Sequence, residues 1–330
     1  MGGHESGPNH PPPHLLPTRG SGHDWKPLME QSRPIRILRD ASAVFVTLVF
    51  MFPIFWWALA SIKPISAMFD KDRVVFFDFV PTLINYGVTL LGMSRSQMAI
   101  DEGLGMGVAG TDAYDSRRAI IDSIVVAIGS TTVTMLLAIF AAYALSRMTF
   151  KGRNGFLNWV LGQRFMPPIA ILIPLVTIYK SAGMRDTDNL YMGYLGLILI
   201  YALMNLPIAV LLMKSFFDDV PKDIDEAAMI DGATRLQTFR RIVLPMVKGG
   251  VAASAVLCFI FSWTEFLLSL FLTTDIRTVP VKIQTFVTST GNEWGFISAL
   301  GTAAAVPSFI FILLVQRHLV RGLTLGSLKE

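Results

Sequence analysis

Charge is scarce in this chain. Asp, Glu, Lys and Arg make up 16% of its 330 residues and hydrophobic residues 52%, whereas a soluble domain is about a quarter charged. A single water-soluble domain is therefore excluded. Cysteine is nearly absent: Cys258 is the only one, so no disulfide forms within the chain, and its place in an apolar run predicts a buried, inert thiol. Four of the five histidines, His4, His10, His14 and His23, fall near the N-terminus at irregular spacing. No fixed backbone would organise them, so no metal site is expected. Catalytic signatures are missing as well. There is no G-x-x-x-x-G-K-[ST] phosphate loop, no H-E-x-x-H pair and no G-x-S-x-G elbow, and ionisable residues are too few in the apolar runs for an intramembrane enzyme. No catalytic residue, metal or cofactor is assigned to this chain. The formal charge of +4 does not indicate nucleic acid, because the basic residues flank apolar segments instead of forming one patch.

What is present is a series of long apolar stretches. Six are long enough to cross a bilayer as helices, which takes about 20 residues each: approximately 40 to 62, 119 to 146, 158 to 180, 190 to 213, 249 to 272 and 296 to 317. Residues 1–33, rich in Pro, Gly, His and Ser, cannot bury enough surface to offset ordering and are expected to be a disordered tail. No cleavable leader pattern precedes residue 40, so the first span, flanked by Arg33, Arg36 and Arg39, is expected to remain as an anchor. Residues 34–330 then form one transmembrane domain.

Lysine and arginine set the orientation. The N-terminal tail, residues 147 to 157, residues 214 to 248 and the segment after 316 together carry 17, against 10 in 63 to 118, 180 to 189 and 273 to 295. The positive-inside rule places the first group, and both termini, in the cytoplasm. The external segment of about 63–118 contains a Gly- and Ser-bearing insert, roughly 92 to 117, read as a plain surface insertion, the alternative being a contact with a binding protein or partner subunit.

The cytoplasmic segment 214–248 carries the sharpest pattern: Glu226-Ala227-Ala228, then Gly232, then Ile242, Leu244 and Pro245. Asp223, Asp225 and Glu226 fall in the first turn of a helix after Pro221, where carboxylates complement the helix dipole. Ile224, Ala227 and Ala228 are spaced to form a small-residue apolar stripe suited to a partner's groove. Gly232 is placed to end that helix in the left-handed conformation, and Thr234 with Gln237 offers a capping box for the next. Helix, sharp turn, helix is the expectation.

The spacing resembles the EAA loop of ATP-binding-cassette import permeases. Ala141-Ala142-Tyr143-Ala144-Leu145-Ser146-Arg147, Phe261-Ser262-Trp263-Thr264-Glu265-Phe266, and Gln316-Arg317 with Arg321-Gly322-Leu323-Thr324-Leu325-Gly326 are similar to the carbohydrate-importer, maltose-type subgroup. Asp122-Ser123 and Trp-Thr-Glu stand where Asn-Ser and Trp-Asn-Glu are frequent, which leaves the solute open. The resemblance implies an all-α membrane protein with six transmembrane helices and a cytoplasmic coupling-helix loop, the type I importer permease fold. It implies a non-catalytic permease subunit for a sugar, oligosaccharide or polyol in a bacterial inner membrane. Implied partners are a second permease, two ATPase subunits that hold ATP and Mg, and an extracytoplasmic binding protein. Glu226, Ala227, Ala228, Gly232, Ile242, Leu244 and Pro245 would couple to the ATPase, and Gly322, Gly326 and Lys329 would reach it from the C-terminal tail.

Arg164 and Glu265 are ionisable residues inside predicted spans, where exposure to lipid costs about 3 kcal/mol or more. With Trp263, whose ring could stack on a sugar or simply pack, they are the candidates for a translocation path, the alternative being hydrogen bonds to neighbouring helices. Pro167-Pro168, Pro174 and Pro207 interrupt backbone bonding in the third and fourth spans. The competing reading is an ion-coupled secondary transporter, which would call for an inverted repeat with broken helices; the sequence has no evident repeat.

Overall fold

The computed structural model describes residues 33–68, 79–94, 114–163, 165–187, 189–288 and 291–326. The N-terminal tail to residue 32, residues 95–113 of the external insert, Arg164 and Lys329 lie outside the described residues. In chain order the described helices of six residues or more are α1 (Arg33–Ser61), α2 (Ile84–Leu90), α3 (Arg117–Arg147), α4 (Arg153–Gln163), α5 (Leu172–Ser181), α6 (Leu190–Asp218), α7 (Lys222–Ile230), α8 (Arg235–Met246), α9 (Lys248–Trp263), α10 (Leu267–Leu272), α11 (Val279–Gln284) and α12 (Trp294–Gly326). The protein is an all-α membrane protein, and its short antiparallel pairing of Val287 with Asn292 is a detail of the loop before α12.

Among the described residues, four helices are long and apolar enough to span a bilayer unaided: α1, α3, α6 and α12. The third stretch breaks at Pro167-Pro168, where interrupted backbone bonding was expected, and the fifth is not the continuous span expected of it. The third divides into α4 and α5, with Pro167 extended and Pro168 opening a single 3-10 turn ahead of α5. Neither proline can donate the backbone bond a continuous helix needs. The fifth divides at Thr264 to Phe266 into α9 and α10, and both Glu265 carboxylate oxygens accept the Leu268 amide, at 2.9 and 3.2 Å. That cap supplies an acceptor where the helix has lost its own. Pro207, by contrast, sits inside an uninterrupted α6.

The α3–α6 pair is the centre of the packing, approaching closely where a Cβ on Gly129 would lie 2.7 Å from Ile198. Three apolar clusters lie along it. One joins α3 and α6 to α8 and α9 through Met135, Ala138, Met213, Phe217, Phe239 and Cys258; the Cys258 thiol is buried there. A second joins α9, α11 and α12 around Phe259, Phe286 and Phe296, and the third packs α5 and α10 on α6. Between them Ser130 and Asn205 each donate to the Ser262 hydroxyl at 2.9 Å, tying α3, α6 and α9 together with bonds of about 0.6–2 kcal/mol each. Gly250 lets α9 begin directly against α6, since a Cβ there would meet the Phe216 ring at 2.2 Å.

Candidate functional site

Pro221 precedes α7 in an extended conformation, and Asp223 and Asp225 occupy its first turn. The helix ends at Gly232, whose φ of +88° is strained for any residue with a Cβ. The Ala233 amide returns to the Ala228 carbonyl at 3.0 Å and the Gly232 amide to Met229 at 3.1 Å, the paired bonds of a Schellman cap. Two residues on, the Gln237 amide donates to Thr234 Oγ1 at 3.3 Å and the Thr234 amide to Gln237 Oε1 at 2.8 Å. This capping box starts α8.

The expected stripe of Ile224, Ala227 and Ala228 does not form one face. Ile224 and Ala228 turn inward together with Asp225, while Glu226 and Ala227 stay exposed. At about 100° per residue, positions 224, 228 and 225 share one side and 227 falls outside it. What draws Asp225 inward is Arg147 at the end of α3, whose Nε lies 3.0 Å from Asp225 Oδ2 with both side chains about nine-tenths buried. The Tyr143 hydroxyl donates to the other carboxylate oxygen at 3.1 Å. Arg147 also donates to the Val220 carbonyl at 2.9 Å, and its neighbour Ser146 donates to Asp218 at 2.6 Å. One turn of α3 thus holds the end of α6, the link after it and α7. The sequence marked Tyr143 and Arg147 only as members of a family pattern; an arginine closing an apolar span was the available signal.

Phe239 to Val243 form a π turn within α8, closed by the Leu244 amide on the Phe239 carbonyl. Pro245 follows, where an α-helix would set its ring against the Arg241 carbonyl, and the wider turn gives that ring room. Ile242 and Leu244 are half-buried and Pro245 is exposed. Phe239 packs against Tyr143 at 4.6 Å between ring centroids, so α8 rests on the same turn of α3 as α7.

The remaining candidates lie apart from this elbow. Trp263 is buried with one face against Phe259, at 5.5 Å and 19°. Its edge lines a cavity of about 530 Å3 with Phe266, Val279, Gln284, Gly301 and Ser308. Glu265 is half-buried and engaged in the cap of α10. Gly322 and Gly326 lie on α12, which continues past the apolar span.

A second polar constellation, absent from the sequence candidates except for Asp122-Ser123, sits at the other end of α3. Asp122 accepts the Arg277 amide at 3.2 Å and a bond from the Tyr194 hydroxyl, and Ser123 accepts the Val279 amide at 2.7 Å. Asparagine at 122 could accept the same amide; the carboxylate also attracts Arg118, at 4.0 Å. Asp186 accepts the amides of Thr274, Asp275 and Ile276. Nearby, the Arg117 guanidinium hydrogen-bonded to Asp115 holds that carboxyl below its usual range. These bonds fix the loop before α11.

The family described as binding-protein-dependent transport system inner membrane component matches residues 134–325. The chain is 32% identical over 294 residues to the sulfoquinovosyl glycerol transport system permease protein of Agrobacterium fabrum, covering 88% of this chain and 93% of that one. It is 33% identical over 294 residues to the trehalose transport system permease protein of Mycobacterium tuberculosis, covering 87% and 96%. A trehalose/maltose transport system permease protein of Thermococcus litoralis is 33% identical over 297 residues, covering 89% and 97%. In fold, the chain is similar to a crystal structure of a bacterial ABC transporter involved in the import of the acidic polysaccharide alginate, with a TM-score of 0.64 at 19% identity, covering 87% of this chain and 98% of that one. The family match spans the end of α3, the α7–α8 elbow and the last four of the six apolar stretches, and with three relatives over most of its length this chain belongs to the inner membrane permease family of binding-protein-dependent transport systems.

Proposed function

We propose that this chain is one of two permease subunits of an ATP-driven importer of a sugar, oligosaccharide or polyol in a bacterial inner membrane, and that α7 receives the force of ATP hydrolysis. The solute class is supported by the names of the relatives, which include trehalose, maltose and sulfoquinovosyl glycerol permeases. Two ATPase subunits would bind ATP and Mg, and an extracytoplasmic binding protein would deliver the solute. The basic residues favour cytoplasmic termini and a cytoplasmic elbow.

The observation that carries the coupling role is the exposed edge of α7. Glu226, Ala227 and Ile230 are exposed on a helix of 9 residues whose other side is seated on the bundle. Such an edge offers a partner a short helix with one carboxylate and small apolar contacts. Gly232, Ile242, Leu244 and Pro245 hold the elbow that presents it. Gly322, Gly326 and Lys329 would add a C-terminal contact, and Arg164, Trp263 and Glu265 would border the solute path.

The test is reconstitution of the complete transporter in vesicles. Uptake of the solute retained by its binding protein should require ATP and resist an uncoupler. Glu226→Arg should lose co-purification of the ATPase while the permease still inserts. Uptake abolished by the uncoupler and indifferent to ATP would replace this reading with ion-coupled transport.

A further inference from the structure

The apolar seat of α7 is small. Ile224 is half-buried and Ala228 contributes one methyl group, and contacts of this kind hold without fixing a direction. Beside them lies a space of about 170 Å3 bordered by Lys222, Glu226, Met229 and Arg235, so close packing does not orient the helix either. Polar contacts converge instead on Asp225. The Tyr143 hydroxyl donates to one carboxylate oxygen at 3.1 Å, and Arg147, one turn on along α3, faces the other as an ion pair, Nε at 3.0 Å but not aligned as a hydrogen bond. The same guanidinium holds the Val220 carbonyl at 2.9 Å, ahead of Pro221. Arg147 and Asp225 keep only 6% and 10% of their side-chain surface exposed. Turning α7 against α3 would separate a pair of desolvated charges, whereas sliding an alanine methyl costs little.

We propose that Arg147, Asp225 and Tyr143 are positioning residues that lock α7 to the end of α3, so that α7 and the α3–α6 pair move as one body and displacement is not absorbed at the Val220-Pro221 link. This rests on the coupling role given to α7 above. The Ser146 bond to Asp218 at 2.6 Å fixes the last turn of α6 to the same turn of α3, which makes the body three helices wide.

Spin labels at Lys222→Cys and Leu137→Cys, in a Cys258→Ser background and in the complete transporter, report the distance between α7 and α3. The distance distribution should be the same in the nucleotide-free complex and after trapping with ATP and vanadate. Adding Asp225→Asn should make the two states differ, by a shift of about 2–5 Å. A state-dependent distance without Asp225→Asn, or no change when Asp225→Asn is added, overturns the proposal. If Asp225→Asn does not accumulate, the two states of the parent complex decide alone. ATPase co-purification with Glu226→Arg is read separately: retention there removes the coupling role of α7, while the label distance reports the joint itself.

Discussion

The Asp186 carboxylate, in the loop before α6, accepts the backbone amide of Ile276 at 2.7 Å across 90 positions of sequence. It also takes the amides of Thr274 and Asp275, and it fits because Gly193 of α6 has no side chain, a Cβ there falling 2.6 Å from that of Asp186. Asp186→Ala would leave the buried Ile276 amide without its acceptor, at a cost of about 1–3 kcal/mol, while the amides of the exposed Thr274 and Asp275 can turn to water. The purified protein should melt several degrees lower in detergent. Asp186→Asn, which keeps one acceptor oxygen, should fall between the variant and the parent, and equal melting of all three would show that the loop is held by other contacts.

Gly232 is left-handed at φ +88° with nothing within 4 Å of the position a Cβ would take. A substitution there meets backbone strain and no clash. For a β-branched residue the strain is about 1–2 kcal/mol, and asparagine tolerates the conformation better. Gly232→Val should insert into membranes normally and lose ATPase co-purification or coupling of hydrolysis to uptake, with Gly232→Asn affected less. Wild-type transport by Gly232→Val would count against the elbow as a joint.

These two sites mark what the sequence could and could not disclose. Gly232, Thr234 and Gln237 act on amides within a few residues, so their spacing already specifies cap, turn and restart. Cys258 lay buried for the same reason, its neighbours being apolar throughout. Arg147 and Asp225, like Asp186 and Ile276, meet only after α3 and α6 have packed, and nothing in either local sequence names the other. Burial of Asp225 in turn rotated α7, so Ala227 left the stripe that helical spacing had drawn through it. The fifth span passed as continuous because apolar content does not report a break. Pro167-Pro168 did signal one, whereas the cap made by Glu265 required the side chain's direction.

Lys282 lies 8% exposed in α11, outside the spans. Burial lowers its pKa from the ordinary 10.5, with repulsion from Arg277 adding to the shift and Asp115 opposing it. The folded protein therefore releases this proton at lower pH than the unfolded chain does. Below the folded pKa both states carry the proton and the burial penalty is present in full. Between the folded value and 10.5 the unfolded chain binds more protons, so stability rises with pH there. Lys282→Met removes the group. It should be more stable than the parent near neutral pH, and its advantage should shrink as pH rises toward the normal lysine pKa of about 10.4. Melting of both proteins in a pH series from neutral toward that value measures this directly, and a gap that stays constant would mean that Lys282 keeps its charge as it would in water.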